Sequence, residues 1–277
     1  MYLVNDRSWL YAKPDYQSFL KISIGLLLIL VALPAISQTT DLPDITADRP
    51  GMSTPPSIVG AKSIQFESGF SFEKITSGNT VQENILYNTT LVRYGINKYA
   101  EIRLQTDYAQ EKTDSTNLIG LNPLTLGTKI LVAKGNKILP FTSLFVNLTL
   151  PWVGNKNFRP GNLAPSFYLL MQNNITDKLN LCYNIGIQYD GFTSIASKFA
   201  AICLGYNFTE KLSGFLENYN WFSRNTDGAN FIDGGFAYLV SKNLQLDLSG
   251  NLNLRDFRNY YMTNFGVSWR LPNNSRK

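Results

Sequence analysis

Apolar and polar residues alternate over much of this chain, and that period of two limits what it can fold into. From Leu244 to Leu254, leucines and one glycine occupy every second position, and Gln, Asp, Ser, Asn and Arg fill the positions between and after them. Side chains of a β-strand point alternately to opposite faces, so this segment has one apolar face and one polar face. Similar segments of about ten residues recur after residue 62, which is typical of strands with lipid on one side and water on the other.

Residues 1–37 have the pattern of a secretory signal peptide. Basic residues precede the apolar run 22–33, and residues 35–37 are Ala-Ile-Ser, which places small residues where a signal peptidase reads them. The apolar run is short of the roughly twenty residues that a helix needs to span a bilayer. We therefore expect export, with cleavage before Gln38.

Composition argues against several classes of function. The net charge of +5 is small and spread along the chain, which argues against a nucleic-acid partner. The chain has no histidine, so a serine–histidine catalytic pair and a histidine-bearing metal site are impossible. Carboxylate pairs such as Glu101 with Asp107 are more typical of a polar lining than of catalysis. We predict no enzymatic activity, no catalytic residue, no metal and no cofactor.

Turn signals and alternation predict twelve strands after residue 62. An even number suits a closed bacterial barrel with both ends on the periplasmic side. Residues 38–60 contain several prolines and no alternation, and are predicted to form an extended periplasmic lead-in that is long enough to enter the barrel as a partial plug. The barrel itself is predicted over residues 61–271, followed by a polar tail, 272–277.

Short and long connections alternate between the predicted strands. The short ones are polar turns with a lysine in or beside them, at 96–97, 135–136, 175–177, 209–210 and 241–242. The longer ones are 74–83, 110–120, 151–161, 191–196, 223–229 and 256–259. Outer-membrane barrels have short periplasmic turns and longer extracellular loops, so the lysine turns are predicted to face the periplasm.

Aromatic residues gather near both expected membrane interfaces, where amphipathic rings are favoured. They are Tyr94, Tyr99, Phe208, Tyr238 and Trp269 near the short turns, and Tyr108, Trp152, Tyr189, Trp221 and Tyr261 near the longer loops. We therefore predict an all-β fold, a single antiparallel up-and-down transmembrane β-barrel of about 12 strands, surrounded by the lipids of a Gram-negative outer membrane. A secreted soluble β-sandwich is the alternative fold.

If the leucine face meets lipid, the ionisable residues of the opposite face line the lumen. These candidates are Glu67, Arg93, Glu101, Arg103, Asp107, Lys129, Glu217, Asp233, Asp247 and Arg255. Turn arithmetic places Arg93 opposite Glu101 as a cross-strand ion pair. The charges either stiffen the wall or form a filter for small solutes, and twelve strands predict a narrow lumen.

Two cysteines fall on neighbouring predicted strands. Cys182 and Cys203 are nearly symmetric about the loop near Phe192, and both have inward parity. They could form a cross-strand disulfide in an oxidising compartment, although a register shift of one residue would separate them.

The last predicted strand resembles a known assembly signal. Asn264, Gly266, Trp269 and Leu271 have the spacing read by the bacterial barrel-assembly machinery, which the resemblance implies as a partner. The polar tail after Leu271 is a departure, because the signal more usually ends the chain.

The lead-in and the first predicted strand resemble the opening of the outer-membrane family of phenol-degradation meta-pathway proteins, often called transporters. The matching residues are Asp48, Arg49, Pro50, Glu67 and Gly69. Gly51 and Met52 depart from the pattern, because the family usually has another acidic residue after the proline. The resemblance implies a barrel that moves small, often aromatic, compounds.

The predicted function is therefore a passive channel or transporter for small solutes, polar or aromatic, with no energy coupling of its own. The alternative is a non-conducting structural or surface-binding barrel with a closed lumen. Its candidate contact residues are Trp152, Lys156, Phe158 and Arg159 in the loop that follows the fifth predicted strand.

Overall fold

The computed structural model describes residues 43–136, 138–224, 226–256 and 258–271, so the predicted signal peptide and polar tail lie outside the described residues. Within these ranges, no helix has the length and apolar character needed to cross a membrane. A short 3-10 helix spans Lys156–Phe158. The strands are β1 (Ile64–Ser77), β2 (Thr80–Asn97), β3 (Ala100–Lys112), β4 (Asn117–Leu121), β5 (Thr125–Lys134), β6 (Phe141–Thr149), β7 (Ala164–Asn174), β8 (Leu179–Tyr189), β9 (Ala196–Asn207), β10 (Leu212–Ser223), β11 (Thr226–Ser241), β12 (Leu244–Asn253) and β13 (Tyr260–Arg270).

These strands form one closed antiparallel barrel with twelve strand positions, which confirms the predicted fold. β1 pairs with β2 on one side and with β13 on the other, so the sheet closes on itself. β4 and β5 share one position, because both pair with β3. Pro123 lies between them and has no N–H to donate, which is consistent with the break in the ladder.

The alternation of the sequence sorts side chains between the two faces of the wall. On β12, Leu246, Leu248 and Leu252 face outward, and Leu248 is 56% exposed. Gln245 and Asp247 face inward and are buried. One closed sheet with apolar side chains outside and polar side chains inside is a membrane barrel, not a β-sandwich of two packed sheets.

The connections define two rims. The turn rim joins strands at 98–99, 135–140, 175–178, 208–211 and 242–243. The loop rim joins strands at 78–79, 113–116, 150–163, 190–195, 224–225 and 254–259.

The predicted contrast in loop length is partly wrong, because strands extend into three predicted loops. β1 continues to Ser77 and β2 begins at Thr80, so the predicted loop 74–83 is mostly strand. Gly78 makes this tight turn with φ 59°, a left-handed conformation that glycine adopts without strain. Most of 110–120 and 223–229 is likewise strand.

Residues 43–63 lie inside the barrel and are called the plug below. The plug enters at the turn rim, where Ile45 donates its backbone N–H to the Lys242 carbonyl. It leaves at the same rim, where Lys62 donates its N–H to the Gly95 carbonyl. Its prolines lack backbone donors, which suits a segment that forms no ladder with the wall.

Candidate functional site

A buried cluster of charges fixes the plug to the wall formed by β1, β2, β3 and β5. On the plug, Asp48 lies 3.1 Å from Arg93 and 2.9 Å from Lys129, and it also forms an ion pair with Arg103. Arg93 is fully buried, and it also pairs with Glu67 at 2.7 Å and Glu101 at 2.9 Å. The cluster therefore balances three cations with three carboxylates, one of which belongs to the plug.

The environment of Asp48 favours its ionised form. Burial alone would raise the pKa of this carboxyl, but Arg103, Arg93 and Lys129 together outweigh burial and hold the pKa well below its usual range. Asp48 therefore remains charged, and removing its charge would leave the buried cations of the wall without their full complement of carboxylates.

The register of β2 and β3 differs from the prediction for Arg93. Arg93 lies opposite Arg103, and Glu101 lies opposite Gly95. A register shift between Gly95 and Asn97 moves the strands relative to the predicted turn. Arg93 nevertheless reaches Glu101 diagonally, with Nε 2.9 Å from Oε1.

Arg49 of the plug is seated against the seam where the barrel closes. Gly69 of β1 and Gly266 of β13 are register partners, and a Cβ atom on either would lie within 2.5 Å of the Arg49 side chain. The missing side chains therefore make room for the guanidinium group. Arg49 pairs with Asp247 at 3.2 Å and donates to the Thr89 hydroxyl at 3.4 Å.

The backbone of the plug is bound by side chains of the opposite wall. Glu217 accepts the N–H groups of Met52 at 2.9 Å and Ser53 at 2.6 Å. Asn184 accepts from Thr54 N–H at 2.7 Å and donates to its carbonyl at 3.0 Å. Because this part of the plug forms no β-ladder, these side chains satisfy polar groups that a ladder would otherwise bind.

Lys129 and Ser143 hold the next part of the plug. The Lys129 ammonium donates to the carbonyls of Pro55 at 2.9 Å and Ser57 at 3.1 Å. The Ser143 hydroxyl donates to the Pro56 carbonyl at 2.6 Å. Val59 then donates its N–H to Glu101 before the chain leaves at the turn rim.

Three other predicted lumen residues have different surroundings. Asp233 lies opposite Glu217 in the register and is buried, and neither of its carboxylate oxygens has a hydrogen-bond partner among the described residues. Asp107 is the register partner of Thr89, and Thr89 borders the cavity described below, so Asp107 is on the inward face as predicted. The prediction that Arg255 lines the lumen is wrong, because Arg255 lies beyond the end of β12 and is exposed. The alternation of the sequence continues into the loop after the ladder has ended, and it was therefore misleading at this position.

The cysteines are direct register partners on β8 and β9. Both thiols are free in this structure, with Cys182 buried and Cys203 partly exposed. The Cys182 thiol lies 3.6 Å from the Thr54 carbonyl of the plug. The predicted disulfide is thus not formed here.

The plug divides the lumen into two spaces. On the loop-rim side lies a cavity of about 400 Å³, bordered by Thr89, Asn147 and Gln188 among others. On the turn-rim side lies a vestibule of about 1010 Å³, bordered by Lys178 and Lys211. The backbone around Asp48, Arg49 and Gly51 borders both spaces, so a solute crossing the lumen must pass the plug.

Aromatic side chains form a continuous band on the inward face, called the aromatic arc below. Its members are Phe145, Tyr168, Phe199, Trp221, Tyr219, Phe231 and Tyr260. Phe199 and Trp221 have ring centroids 4.6 Å apart, and Tyr219 and Phe231 stack at 4.8 Å. Such pairs are stabilising beyond the area they bury.

Gly186 permits this band to cross β8. It lies between Tyr168 and Phe199 in the register. A Cβ atom at Gly186 would lie 2.1 Å from Cδ1 of Tyr168, so the tyrosine ring occupies the space of the missing side chain. Tyr168 then meets Phe199 edge to face at 5.9 Å.

Neither the aromatic arc nor the role of Asp48 and Arg49 as plug anchors was predicted from the sequence. Trp221 was predicted at a membrane interface, but it points into the lumen and borders the cavity, whereas its neighbour Phe222 is exposed. The signal was available, because Trp221 and Tyr219 share the parity of the inward Glu217. In the loop 150–163, Phe158 is buried, so the predicted surface residues do not form one exposed patch.

Comparison with known proteins places the chain in a family. The family described as "Putative MetA-pathway of phenol degradation" matches residues 47–271, so the chain belongs to it. No curated protein shows significant sequence similarity to the chain. Among solved structures, an outer membrane channel from Pseudomonas putida F1 is 12% identical, with a TM-score of 0.61 over 80% of this chain and 99% of that chain. The KdgM porin in complex with disordered oligogalacturonate is 10% identical, with a TM-score of 0.51 over 74% of this chain and 98% of that chain. These likenesses show the barrel fold.

Proposed function

We propose that this member of the family is a passive channel for small solutes in a Gram-negative outer membrane. The observation that carries the proposal is the pair of spaces, about 400 and 1010 Å³, on either side of the plug. A barrel that served only as a scaffold would need neither space. The exposed apolar exterior and the fold shared with outer-membrane channels support this location.

The lining favours small solutes that carry an aromatic ring. Members of the aromatic arc form one side of the cavity, and polar residues of β2 and β3 form the other. Passage through this space needs no chemistry from the chain, which has no histidine to act as a general base near neutral pH. We therefore propose transport without catalysis and without energy coupling.

The plug controls passage in this proposal. Residues 48–51 separate the cavity from the vestibule, so transport requires this part of the plug to shift. The buried ion pairs of Asp48 hold it in the closed position.

Planar-bilayer recording of the refolded protein tests the proposal. We expect discrete conductance steps that become larger in Asp48→Asn, because that variant weakens the attachment of the plug. Insertion is checked independently by the heat-modifiable mobility of the folded barrel on gels. An inserted barrel that is silent in both forms would contradict the channel and support the non-conducting barrel instead.

We also propose the barrel-assembly machinery as a partner. The residues that resemble its recognition signal lie on or directly after β13, and β13 pairs with β1 to close the barrel. Substituting Trp269 and Leu271 together should slow assembly in reconstituted machinery more than it slows spontaneous folding in detergent. Equal slowing in both systems would contradict this partner.

A further inference from the structure

We propose, building on the channel function above, that the cavity is a binding site for planar aromatic monocarboxylates. Arg49 and Arg103 would bind the carboxylate, and the aromatic arc would contact the ring. The volume of about 400 Å³ falls within the roughly 300–1,000 Å³ typical of small-molecule sites.

Two arginines that border the cavity, Arg49 and Arg103, have donor groups that the protein does not fully use. All hydrogen bonds of Arg103 among the described residues use Nη1, which leaves its Nε and Nη2 groups available. Arg49 also borders the cavity: its Nη2 group is buried against Gly69 and Gly266, 3.2 Å from Asp247, whereas its Nη1 group makes only one long hydrogen bond among the described residues, 3.4 Å to the Thr89 hydroxyl that also borders the cavity. A guanidinium group presents parallel donors that match a carboxylate.

The carboxylates that border the cavity are already occupied. Both oxygens of Asp48 accept from Lys129, and one also accepts from Arg103. One oxygen of Glu67 accepts from Arg93 and the other from the Asp48 backbone N–H. A ligand that supplies acceptors therefore fits the site better than one that supplies donors, and this favours a carboxylate over an amine.

The opposite part of the cavity fits a ring. Phe145, Tyr168, Phe199 and Trp221 all border it. The guanidinium carbon of Arg103 lies 4.5 Å from the centroid of the Phe145 ring, which places cation and aromatic surface side by side. A ligand with a ring next to its carboxylate meets both features, whereas a neutral hydrocarbon leaves the arginine donors without an acceptor.

Calorimetric titration of the full mature protein in detergent tests the site with four probes. They are benzoate, benzyl alcohol as the neutral analogue, cyclohexanecarboxylate as the non-aromatic acid, and benzylammonium as the cation. We expect benzoate to bind at least tenfold more tightly than each of the others. Benzoate that binds no more tightly than benzyl alcohol would overturn the proposal without any variant.

Variants locate the binding in the cavity. Arg49→Gln should weaken benzoate binding at least tenfold, Arg49→Lys should restore part of it, and Trp221→Leu should weaken it severalfold. The matched controls are Arg255→Gln in the exposed loop and Phe222→Leu on the outer face, and both should bind benzoate like the wild type. Unchanged binding in folded Arg49→Gln and Trp221→Leu would overturn this location.

Bilayer recording separates this proposal from the channel itself. A barrel that binds benzoate selectively but never conducts would retain the site and overturn the channel. A barrel that conducts but binds all four probes equally would retain the channel and overturn the site.

Discussion

Asp48 connects the plug to three buried cations of the wall. In Asp48→Asn, these cations keep only Glu67 and Glu101 as carboxylate partners. Breaking a buried ion pair costs about 3–5 kcal/mol, so we expect the plug to detach more often while the barrel stays folded. Hydrogen exchange of residues 43–60 should be at least tenfold faster in this variant.

The control for this prediction is Asp114→Asn, which changes an exposed aspartate of the loop rim. It should leave exchange in the plug unchanged.

The pKa of Asp48 is lowered in the closed state. The stabilisation of the closed plug by Asp48 is therefore complete above the ordinary pKa of 3.8 and is lost as the pH falls through the lowered pKa. The difference between the wild type and Asp48→Asn should therefore be constant from pH 6.5 to 5. Equal exchange rates in both proteins would contradict the anchoring role of Asp48.

Cys182 and Cys203 are expected to cross-link under mild oxidation. Register partners in an antiparallel pair have Cα atoms about 4.5–5.5 Å apart, which lies within the range that disulfides span. Treatment of the folded protein with oxidised glutathione, followed by mass spectrometry, should show a loss of two hydrogens. Cys203→Ser is the control and should form no intramolecular bond. Two thiols that remain alkylatable after oxidation would contradict the register.

Within the strands, parity was sufficient to predict that several single residues face inward, although it failed at Arg255 beyond the end of β12. It placed Glu67, Glu101 and Glu217 on the polar face, and all three are buried. It could not predict what they contact, because their partners on the plug are separated from them by between 19 and 165 residues and share no pattern with the strands. Local alternation carries no information about such distant contacts.

The strands were predicted well in the segments where apolar and polar residues alternate, and poorly at their polar ends near the loop rim. Lys74, Thr76 and Ser77 extend β1 above the apolar belt, where both faces of a strand can be polar. Hydrophobic alternation disappears there although the ladder continues to the turn at Gly78. Interpreting a polar stretch as a loop therefore shortened the strands at the loop rim.

Gly186 is expected to be essential for the geometry of the aromatic arc. The Cβ atom of Gly186→Ala would lie 2.1 Å from the Tyr168 ring, so the ring must move away from β8. Overpacking of this kind costs about 1–3 kcal/mol, and the free energy of unfolding should fall by that amount. The measurement is urea unfolding in lipid vesicles, followed by tryptophan fluorescence.

Gly250→Ala is the matched control for this prediction. Gly250 is exposed on the outer face of β12, and the nearest atom to its Cβ position is 3.4 Å away. This variant should unfold at the same urea concentration as the wild type. Equal stability of the two alanine variants would show that the packing of the Tyr168 ring does not require glycine at position 186.

At the scale of the whole molecule, the leucine face is expected to tolerate charge according to depth. Leu248 lies at the middle of β12 and is 56% exposed, whereas Leu254 lies just beyond the strand at the loop rim. Leu248→Arg should destabilise the inserted barrel by about 2–4 kcal/mol, and Leu254→Arg by about 0–1 kcal/mol. Equilibrium folding into phosphatidylcholine vesicles measures both values. Equal costs at the two positions would contradict a lipid-facing wall centred on Leu248.

The architecture of the molecule followed from two sequence features. The period of two along each segment requires one apolar and one polar face, and an even number of segments permits closure. The position of the plug inside the lumen could not be predicted from these two features. Residues 43–63 have no periodicity, and their conformation is determined by side chains of the surrounding wall.

The plug enters and leaves at the same rim, and it continues directly into β1. A plug that moves out of the lumen therefore remains tethered at the mouth it left, at an effective concentration near the millimolar range expected for a short linker. Its return is an intramolecular reaction, and its rate does not depend on the number of copies in the membrane. Each barrel accordingly carries its own means of resealing after a solute has passed.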